Sequence, residues 1–191
     1  KKLRKYFKTY NLDGYIVPKN DEFFGEYVDE RNDRLYFISS FSGSAGYALI
    51  LKKKSYLFVD GRYTLQAKKE SDKNFKIIEI HKIKPSKILK KIQKKLTIGF
   101  DPKLLSETNL LNNYYTNNIK FISVEKNLID EIWVNKPKVK INKFFILHSR
   151  HTGSDYKTKI NTVCKILRKN KINKLLITAP ENLAWILNVR A

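Results

Sequence analysis

The residue with the clearest capacity for chemistry in this sequence is Arg62, which lies in the tetrapeptide Asp-Gly-Arg-Tyr at 60–63. A guanidinium group is planar and can bind a carboxylate through two hydrogen bonds at once, which a lysine ammonium group cannot do. The choice of arginine is notable because seven of the 39 basic residues are arginines and the rest are lysines. Arg62 is therefore the best candidate in this sequence for a residue that contacts a substrate. The spacing leaves an internal ion pair with Asp21, Glu26 or Asp60 equally open.

Two apolar segments rich in aromatic and β-branched residues precede this tetrapeptide and predict the elements that position it. Residues 47–51 and 56–59 have strand length and are separated by Lys-Lys-Lys-Ser at 52–55, which predicts a pair of strands joined by a short turn. A helical pattern begins at Thr64. We therefore expect Arg62 at a corner between a strand and a helix, where a side chain held by a rigid scaffold can reach into a cleft.

A run of small residues, Phe-Ser-Gly-Ser-Ala-Gly at 41–46, precedes the first of these strands. Its glycines permit positive φ and the close approach of another backbone segment, so we predict a structural turn. A phosphate-binding loop is disfavoured, because no Lys-Ser or Lys-Thr follows, the G-x-G-x-x-G spacing is absent, and no helical pattern comes directly behind.

The rest of the first two thirds alternates between helical and strand patterns, which predicts an α/β fold with a mixed sheet flanked by helices. We expect a helix ending near Tyr10, a strand at 15–17 stopped by Pro18, strands at 75–80, 97–100 and 120–124, and helices beginning at Thr64, at Pro85 and at Ser106.

A polar tract containing Pro137 spans 135–140 and predicts a domain boundary, which gives domains 1–136 and 137–191. The second domain reads as the incomplete start of another α/β unit. We expect a strand at 143–147, a helix at 154–170, a strand at 174–178 and a helix that opens at Pro180. Trp133 and Trp185 are interpreted as buried packing residues.

The histidine and cysteine positions indicate no catalytic or metal site. His148 and His151 have i,i+3 spacing, but no cysteine and no pair of carboxylates accompanies them. His81 follows a strand alone, and we interpret it as structural. Cys164 lies in a pattern typical of the apolar face of a helix, so a packed thiol is expected rather than a nucleophile.

The formal net charge of +21 suggests nucleic-acid binding at first sight. However, the lysines are spread along the chain, their short runs lack interleaved aromatic residues, and no DNA- or RNA-binding motif accompanies them. We therefore disfavour a nucleic-acid partner. No apolar run approaches the roughly 18 residues that a membrane span needs, and no signal-peptide pattern opens the chain, so we expect a cytoplasmic protein without a membrane partner.

Many short motifs follow one another along the chain in a fixed order. They are 13–18, 25–28, the Arg31 and Arg34 pair, 36–46, 60–63, 98–102, 125–133, Pro137, 152–153 and 183–190. In this order they resemble the N-terminal region of aminopeptidase P, the Xaa-Pro aminopeptidases of the creatinase/prolidase group. The resemblance covers nearly the whole chain.

The resemblance implies two related α/β domains followed by a pita-bread catalytic domain, where two aspartates, one histidine and two glutamates bind two divalent metal ions, Mn or Zn. This chain matches the first domain and the opening of the second, so we expect no catalytic residue and no metal ligand in it, and no activity from it alone. Arg62 matches the substrate-contacting arginine of the family motif. The full-length protein would be a homodimeric metallopeptidase that removes the N-terminal residue preceding proline in a peptide.

Two other functions remain open at this point. Non-catalytic relatives with the same N-terminal architecture, such as histone-chaperone subunits, use it as an interaction module, and creatine amidinohydrolases share it as well. The other alternative is a basic nucleic-acid-binding protein, which would show a steep dependence of binding on salt.

Overall fold

The strand and helix patterns form two units in the computed structural model, which describes residues 1–138 and 142–190. The first unit comprises residues 1–22 and 26–138, and the second comprises residues 23–25 and the described residues from 142 to 190. The last two residues of the predicted boundary tract 135–140 lie outside the described residues.

The first unit is built on a six-stranded mixed sheet with strand order β4-β3-β2-β1-β5-β6. Its strands are β1 (Gly14–Pro18), β2 (Gly46–Leu51), β3 (Ser55–Val59), β4 (Phe75–Glu79), β5 (Leu96–Phe100) and β6 (Ile119–Ser123). Strand β2 is antiparallel to β1 and β3, whereas β1–β5, β3–β4 and β5–β6 are parallel pairs. Five strands of this sheet therefore run in one direction, and the predicted mixed sheet is confirmed.

The predicted strand pair before Arg62 is confirmed as the hairpin β2–β3. Tyr47 lies opposite Phe58 in its register, and the two rings stack with centroids 5.1 Å apart. Facing aromatic residues stabilise such a pair by roughly 0.2–1 kcal/mol over two alanines. The β3 strand is buried along its whole length, so it provides a rigid base for the residues that follow it.

Five α-helices accompany the sheet, and their starts follow local sequence signals. They are α1 (Lys2–Thr9), α2 (Arg34–Ser39), α3 (Thr64–Glu70), α4 (Pro85–Lys90) and α5 (Glu107–Tyr114). Asp33 caps α2 by accepting from the amide of Tyr36, and Ser106 caps α5 by accepting from the amide of Asn109. Pro85 begins α4 at the position where a missing N–H costs least.

Both faces of the sheet are covered, because successive strand side chains point to opposite sides. On one face, Val17 belongs to an apolar cluster with buried residues of α1, α2 and α3. On the other face, Ile16 belongs to a second cluster with buried residues of α4 and α5. All members of both clusters lie within the first unit.

In its described residues, the second unit contains three helices and a short strand pair. They are α6 (Ser149–Thr152), α7 (Tyr156–Lys169), α8 (Pro180–Leu187), β7 (Phe145–Ile146) and β8 (Val189–Arg190). Asp155 caps α7 by accepting from the amide of Thr158 at 3.0 Å, and the two predicted helices are confirmed. Cys164 lies half-buried on α7, in partial agreement with a packed thiol.

Two predictions for the second unit are wrong. Residues 174–178 form no strand, because no segment in the described part of the chain lies beside them to complete a ladder. Trp185 is 54% exposed instead of buried, since the two-stranded ladder β7–β8 offers too little apolar surface to enclose its ring. The ammonium of Lys159 lies 4.5 Å from the centre of that ring. Trp133, by contrast, is partly buried and stacks on Phe37 with centroids 4.5 Å apart.

Candidate functional site

Arg62 lies at the edge of the sheet where the five same-direction strands end. Strand β3 ends at Val59, Asp60 caps the 3₁₀ turn Gly61–Tyr63, and α3 begins directly behind it. The predicted corner between a strand and a helix is therefore confirmed. In open α/β sheets, ligands bind outside the carboxyl ends of the strands, so this edge is the one at which a binding residue is expected.

The backbone N–H and the guanidinium Nε of Arg62 are hydrogen-bonded within its own turn. Asp60 Oδ1 accepts hydrogen bonds from the Arg62 backbone N–H at 3.0 Å and from Arg62 Nε at 2.9 Å. The side chain is 74% exposed, and its two terminal nitrogens make no hydrogen bond to any residue in 1–138 or 142–190. The internal ion pair left open by the spacing exists, with Asp60 as partner. It engages Nε and leaves the outer edge of the guanidinium to solvent.

These contacts also keep both groups charged. Hydrogen bonds from the backbone and side chain of Arg62 lower the pKa of Asp60 from 3.8 to about 2. The pKa of Arg62 is raised by the hydrogen bond to Asp60 and by its negative charge. At neutral pH the site therefore presents a permanently charged guanidinium. Its Nε is hydrogen-bonded to Asp60, and its two terminal nitrogens have no partner among the described residues.

His81 lies beside the same carboxylate, which the sequence interpretation missed. Its Nε2 is 3.4 Å from Asp60 Oδ2, and its ring is 74% exposed. The signal that explains this placement is strand register, because Val59 pairs with Glu79 in the parallel β3–β4 ladder. The residues just beyond the two strand ends are therefore neighbours.

The small-residue run at 41–46 fastens a loop to the Arg62 corner. Ser44 Oγ and the Tyr63 hydroxyl are 2.7 Å apart, and Phe41 packs edge-on against the Tyr63 ring with centroids 5.9 Å apart. Ser42 donates its backbone N–H to Glu70 Oε2 on α3 at 2.9 Å. These contacts give this part of the run a structural role beside Arg62.

The glycines of this run are needed because neighbouring atoms leave no room for a Cβ, and not because the backbone adopts an unusual torsion angle. Glycine permits a positive φ, but neither Gly43 nor Gly46 adopts one. The run leads into the extended strand β2, which needs an ordinary extended backbone. The expected close approach is confirmed, because a Cβ on Gly46 would lie 2.8 Å from the Phe58 carbonyl oxygen, and one on Gly43 would overlap the Phe41 ring.

The remaining candidate ligands do not assemble into a metal site. Within the part of the chain that the structure describes, no group of three or more His, Cys, Asp or Glu residues is placed to hold a metal ion. His148 caps α6 by accepting from the Arg150 amide, and His151 Nε2 accepts from Arg150 Nε at 3.0 Å. The described donors therefore do not fit a resident metal. None of the helices in the described residues is long and apolar enough to cross a membrane.

Comparison with known proteins identifies the family that this chain resembles. The family model of the creatinase/prolidase N-terminal domain matches residues 1–132, and a second model with the same description matches residues 135–191. A probable Xaa-Pro aminopeptidase P of Laccaria bicolor is 34% identical over 200 residues, which cover 99% of this chain and 31% of that protein. Human Xaa-Pro aminopeptidase 2 is 32% identical over 201 residues, 99% of this chain and 29% of that protein.

A solved structure of an Xaa-Pro aminopeptidase is similar over the same length of the chain. The crystal structure of an X-prolyl aminopeptidase from Caenorhabditis elegans, described as a cytosolic enzyme with a di-nuclear active site, superposes with a TM-score of 0.81 at 25% identity and covers 99% of this chain and 34% of that one. The chain thus spans about a third of the length of the relatives it matches. The first family model alone covers more than half of the chain, and so the chain belongs to the creatinase/prolidase N-terminal domain family.

Proposed function

We propose that this chain is the N-terminal, non-metal region of an Xaa-Pro aminopeptidase, an enzyme that removes the N-terminal residue preceding proline from a peptide. The observation that carries the proposal is the similarity over 99% of the chain to proteins named for that activity, together with the structural match at a TM-score of 0.81. Because the described residues hold no donor set for a metal, two divalent ions, Mn or Zn, would be bound by residues outside this chain.

Within that enzyme, Arg62 binds the peptide substrate. Its terminal nitrogens, which have no hydrogen-bond partner among the described residues, match a carboxylate or a peptide carbonyl, and the hydrogen bond from Nε to Asp60 favours one orientation of the guanidinium. A guanidinium fixed in this way contributes by positioning the bound peptide, and it takes no part in bond breaking. The scaffold at 41–46 and α3 shapes this wall of the substrate cleft.

The test is a kinetic comparison in the full-length protein. Arg62→Ala should lower kcat/KM for an Xaa-Pro peptide about tenfold or more, which corresponds to about 1.4 kcal/mol of lost transition-state stabilisation. Arg62→Lys should recover only part of this loss, because it keeps the charge but not the two-donor fork. Metal content, measured by elemental analysis, should be unchanged in both variants.

The matched control is Arg168→Ala, which removes an exposed arginine from the end of α7. It should leave kcat/KM at the wild-type value. Wild-type kinetics in Arg62→Ala would exclude Arg62 from the substrate site.

The same proposal has consequences for the isolated chain. Residues 1–191 should hydrolyse no Xaa-Pro peptide when Mn or Zn is added, and turnover by the purified chain would contradict the placement of all metal ligands elsewhere. We further propose the domain division 1–136 and 137–191, a cytoplasmic location and a homodimeric full-length protein. Size-exclusion chromatography with light scattering would test the last of these.

A further inference from the structure

A second candidate site lies at the opposite edge of the sheet from Arg62. A cavity of about 430 Å³ opens where β1, β3 and β5 begin, between the turn that joins β2 to β3 and the end of α4. Small-molecule sites span roughly 300–1,000 Å³, so the volume suits a small ligand. Strand β3 runs from this cavity to the Arg62 corner, which makes the two sites separate features of one unit.

The floor of the cavity is apolar. It is formed by Leu51, Tyr56 and Leu96 from the strands, which are 4–8% exposed, and by Ile88 and Ile92 from α4 and the residues after it. These side chains belong to or pack against the apolar cluster on that face of the sheet. A ligand with an apolar chain or ring would therefore bury that part against a preformed surface.

The rim of the cavity is cationic. Lys52, Lys53 and Lys54 come from the β2–β3 turn, and Lys91 and Lys94 come from the segment after α4. Five lysines from two separate segments therefore surround one opening. The structure places a single carboxylate, Asp13, among the lining residues.

The Asp13 carboxylate already accepts hydrogen bonds from within the protein. Asp13 Oδ1 accepts from Lys52 Nζ at 2.8 Å, and Oδ2 accepts from the Thr97 amide at 3.0 Å. Burial acts to raise the pKa of Asp13, but these hydrogen bonds and the charges of Lys52 and Lys94 outweigh it and lower the pKa. Asp13 therefore stays ionised and neutralises Lys52. The other four rim lysines form no ion pair with any residue in 1–138 or 142–190.

We propose that this lysine-rimmed cavity binds a small soluble amphipathic anion, meaning a carboxylate or phosphate ester that carries an apolar chain or ring. The apolar floor takes the chain or ring, and the unpaired ammonium groups bind the anionic head as point charges. The proposal is independent of the role of Arg62. It differs from general attraction to a chain of charge +21, because it requires the floor as well as the rim.

The test is isothermal titration of the full-length protein with n-decyl phosphate below its micelle concentration. Saturable binding of one equivalent is expected, and inorganic phosphate alone should bind about tenfold more weakly or worse, because it cannot use the apolar floor. The variant Lys53→Glu/Lys91→Glu should also lose about tenfold or more in affinity, since it reverses two rim charges.

The matched control is Lys103→Glu/Lys126→Glu, which changes the net charge equally at two exposed positions beyond the carboxyl ends of β5 and β6, at the opposite edge of the sheet from the cavity. It should bind as the wild type does. Equal loss in both variants, equal affinity for inorganic phosphate, or no saturable binding would each overturn the proposal. Binding to vesicles that contain an anionic lipid, without binding of monomeric decyl phosphate, would place the anion on a membrane surface and would also overturn it.

Discussion

Asp60 controls what Arg62 can do, because one carboxylate oxygen accepts from both the backbone and the side chain of that arginine. The folded pKa of Asp60, about 2, lies below its ordinary value of 3.8. The hydrogen bonds from Arg62 to the ionised Asp60 carboxylate are therefore fully present above pH 3.8 and are lost as the pH falls through about 2. Near neutral pH, the arrangement of Arg62 should therefore not change with pH.

A carboxyl NMR titration of the chain tests this. Asp60 should titrate with a midpoint near 2, and in Arg62→Ala the midpoint should move towards 3.8. Asp72 serves as the internal control, because its pKa is lowered by hydrogen bonds from Asn74 and does not depend on Arg62. A midpoint near 3.8 for Asp60 in the wild type would contradict the observed contacts.

The position of Arg62 could be predicted from the sequence, whereas its partner could not. A strand pattern, an Asp-Gly pair and a helical pattern follow one another at 56–70, and local signals of this kind predict a corner. Three carboxylates were compatible with the spacing. Only the tight turn at 60–63, in which a residue two positions earlier accepts from the backbone N–H of Arg62, selects Asp60. His81 required the register of β4 against β3, which is a long-range property.

Among the elements, α2 is tied to the end of the first unit by a cluster of ionised groups. Arg34, 3% exposed, donates through Nε and Nη2 to the two oxygens of Asp130 at 3.0 and 2.8 Å, and through Nη2 to Glu22 at 3.0 Å. Burial disfavours the charged form of Arg34, but the hydrogen bonds to Asp130 and Glu22 outweigh it and raise the pKa. The cluster joins segments 96 residues apart in the chain.

Arg34→Met should destabilise the first unit by about 3 kcal/mol, the lower end of what removal of one partner from a buried ion pair costs. The lower end applies because Asp130 keeps a hydrogen bond from Lys136 at 2.9 Å. Urea unfolding followed by circular dichroism measures the change. The matched control is Lys52→Met, whose side chain is 57% exposed and whose loss should cost at most about 1 kcal/mol. Equal effects of the two substitutions would show that burial of Arg34 has no energetic consequence.

Elements whose neighbours are close in sequence were predictable, and those that need distant neighbours were less so. The hairpin β2–β3 and the helices beginning at Thr64 and Pro85 follow from composition, turn residues and helix starts. Residues 174–178 carry the same apolar signal as a strand, yet a strand forms only where a second backbone completes its hydrogen bonds. The glycines in 41–46 do not use the positive φ that they permit. A small residue can be required by a neighbour's bulk as well as by its own torsion angles.

At the level of the whole molecule, the two units differ in how much of their own apolar surface they bury. The first unit encloses two apolar clusters made entirely of its own residues. The second unit buries little, and its apolar side chains are largely solvent-exposed. The exposed large side chains of its described residues from 142 onward are Phe144, Phe145, Ile146, Tyr156, Ile166, Ile172, Leu175, Leu176, Leu183, Trp185 and Leu187. The first unit should therefore contribute most of the chain's free energy of unfolding.

Residues 1–138 expressed alone should consequently fold and unfold in a single cooperative urea transition, with a midpoint close to that of the main transition in the 191-residue chain. The physical reason is that truncation after residue 138 removes no member of either apolar cluster. Residues 139–191 alone should give little cooperative unfolding, because their short strand pair and exposed apolar side chains supply too small a core. Circular dichroism and amide NMR dispersion measure both outcomes. Poor dispersion or a broad, non-cooperative transition for 1–138 would mean that the first unit depends on the second for its stability.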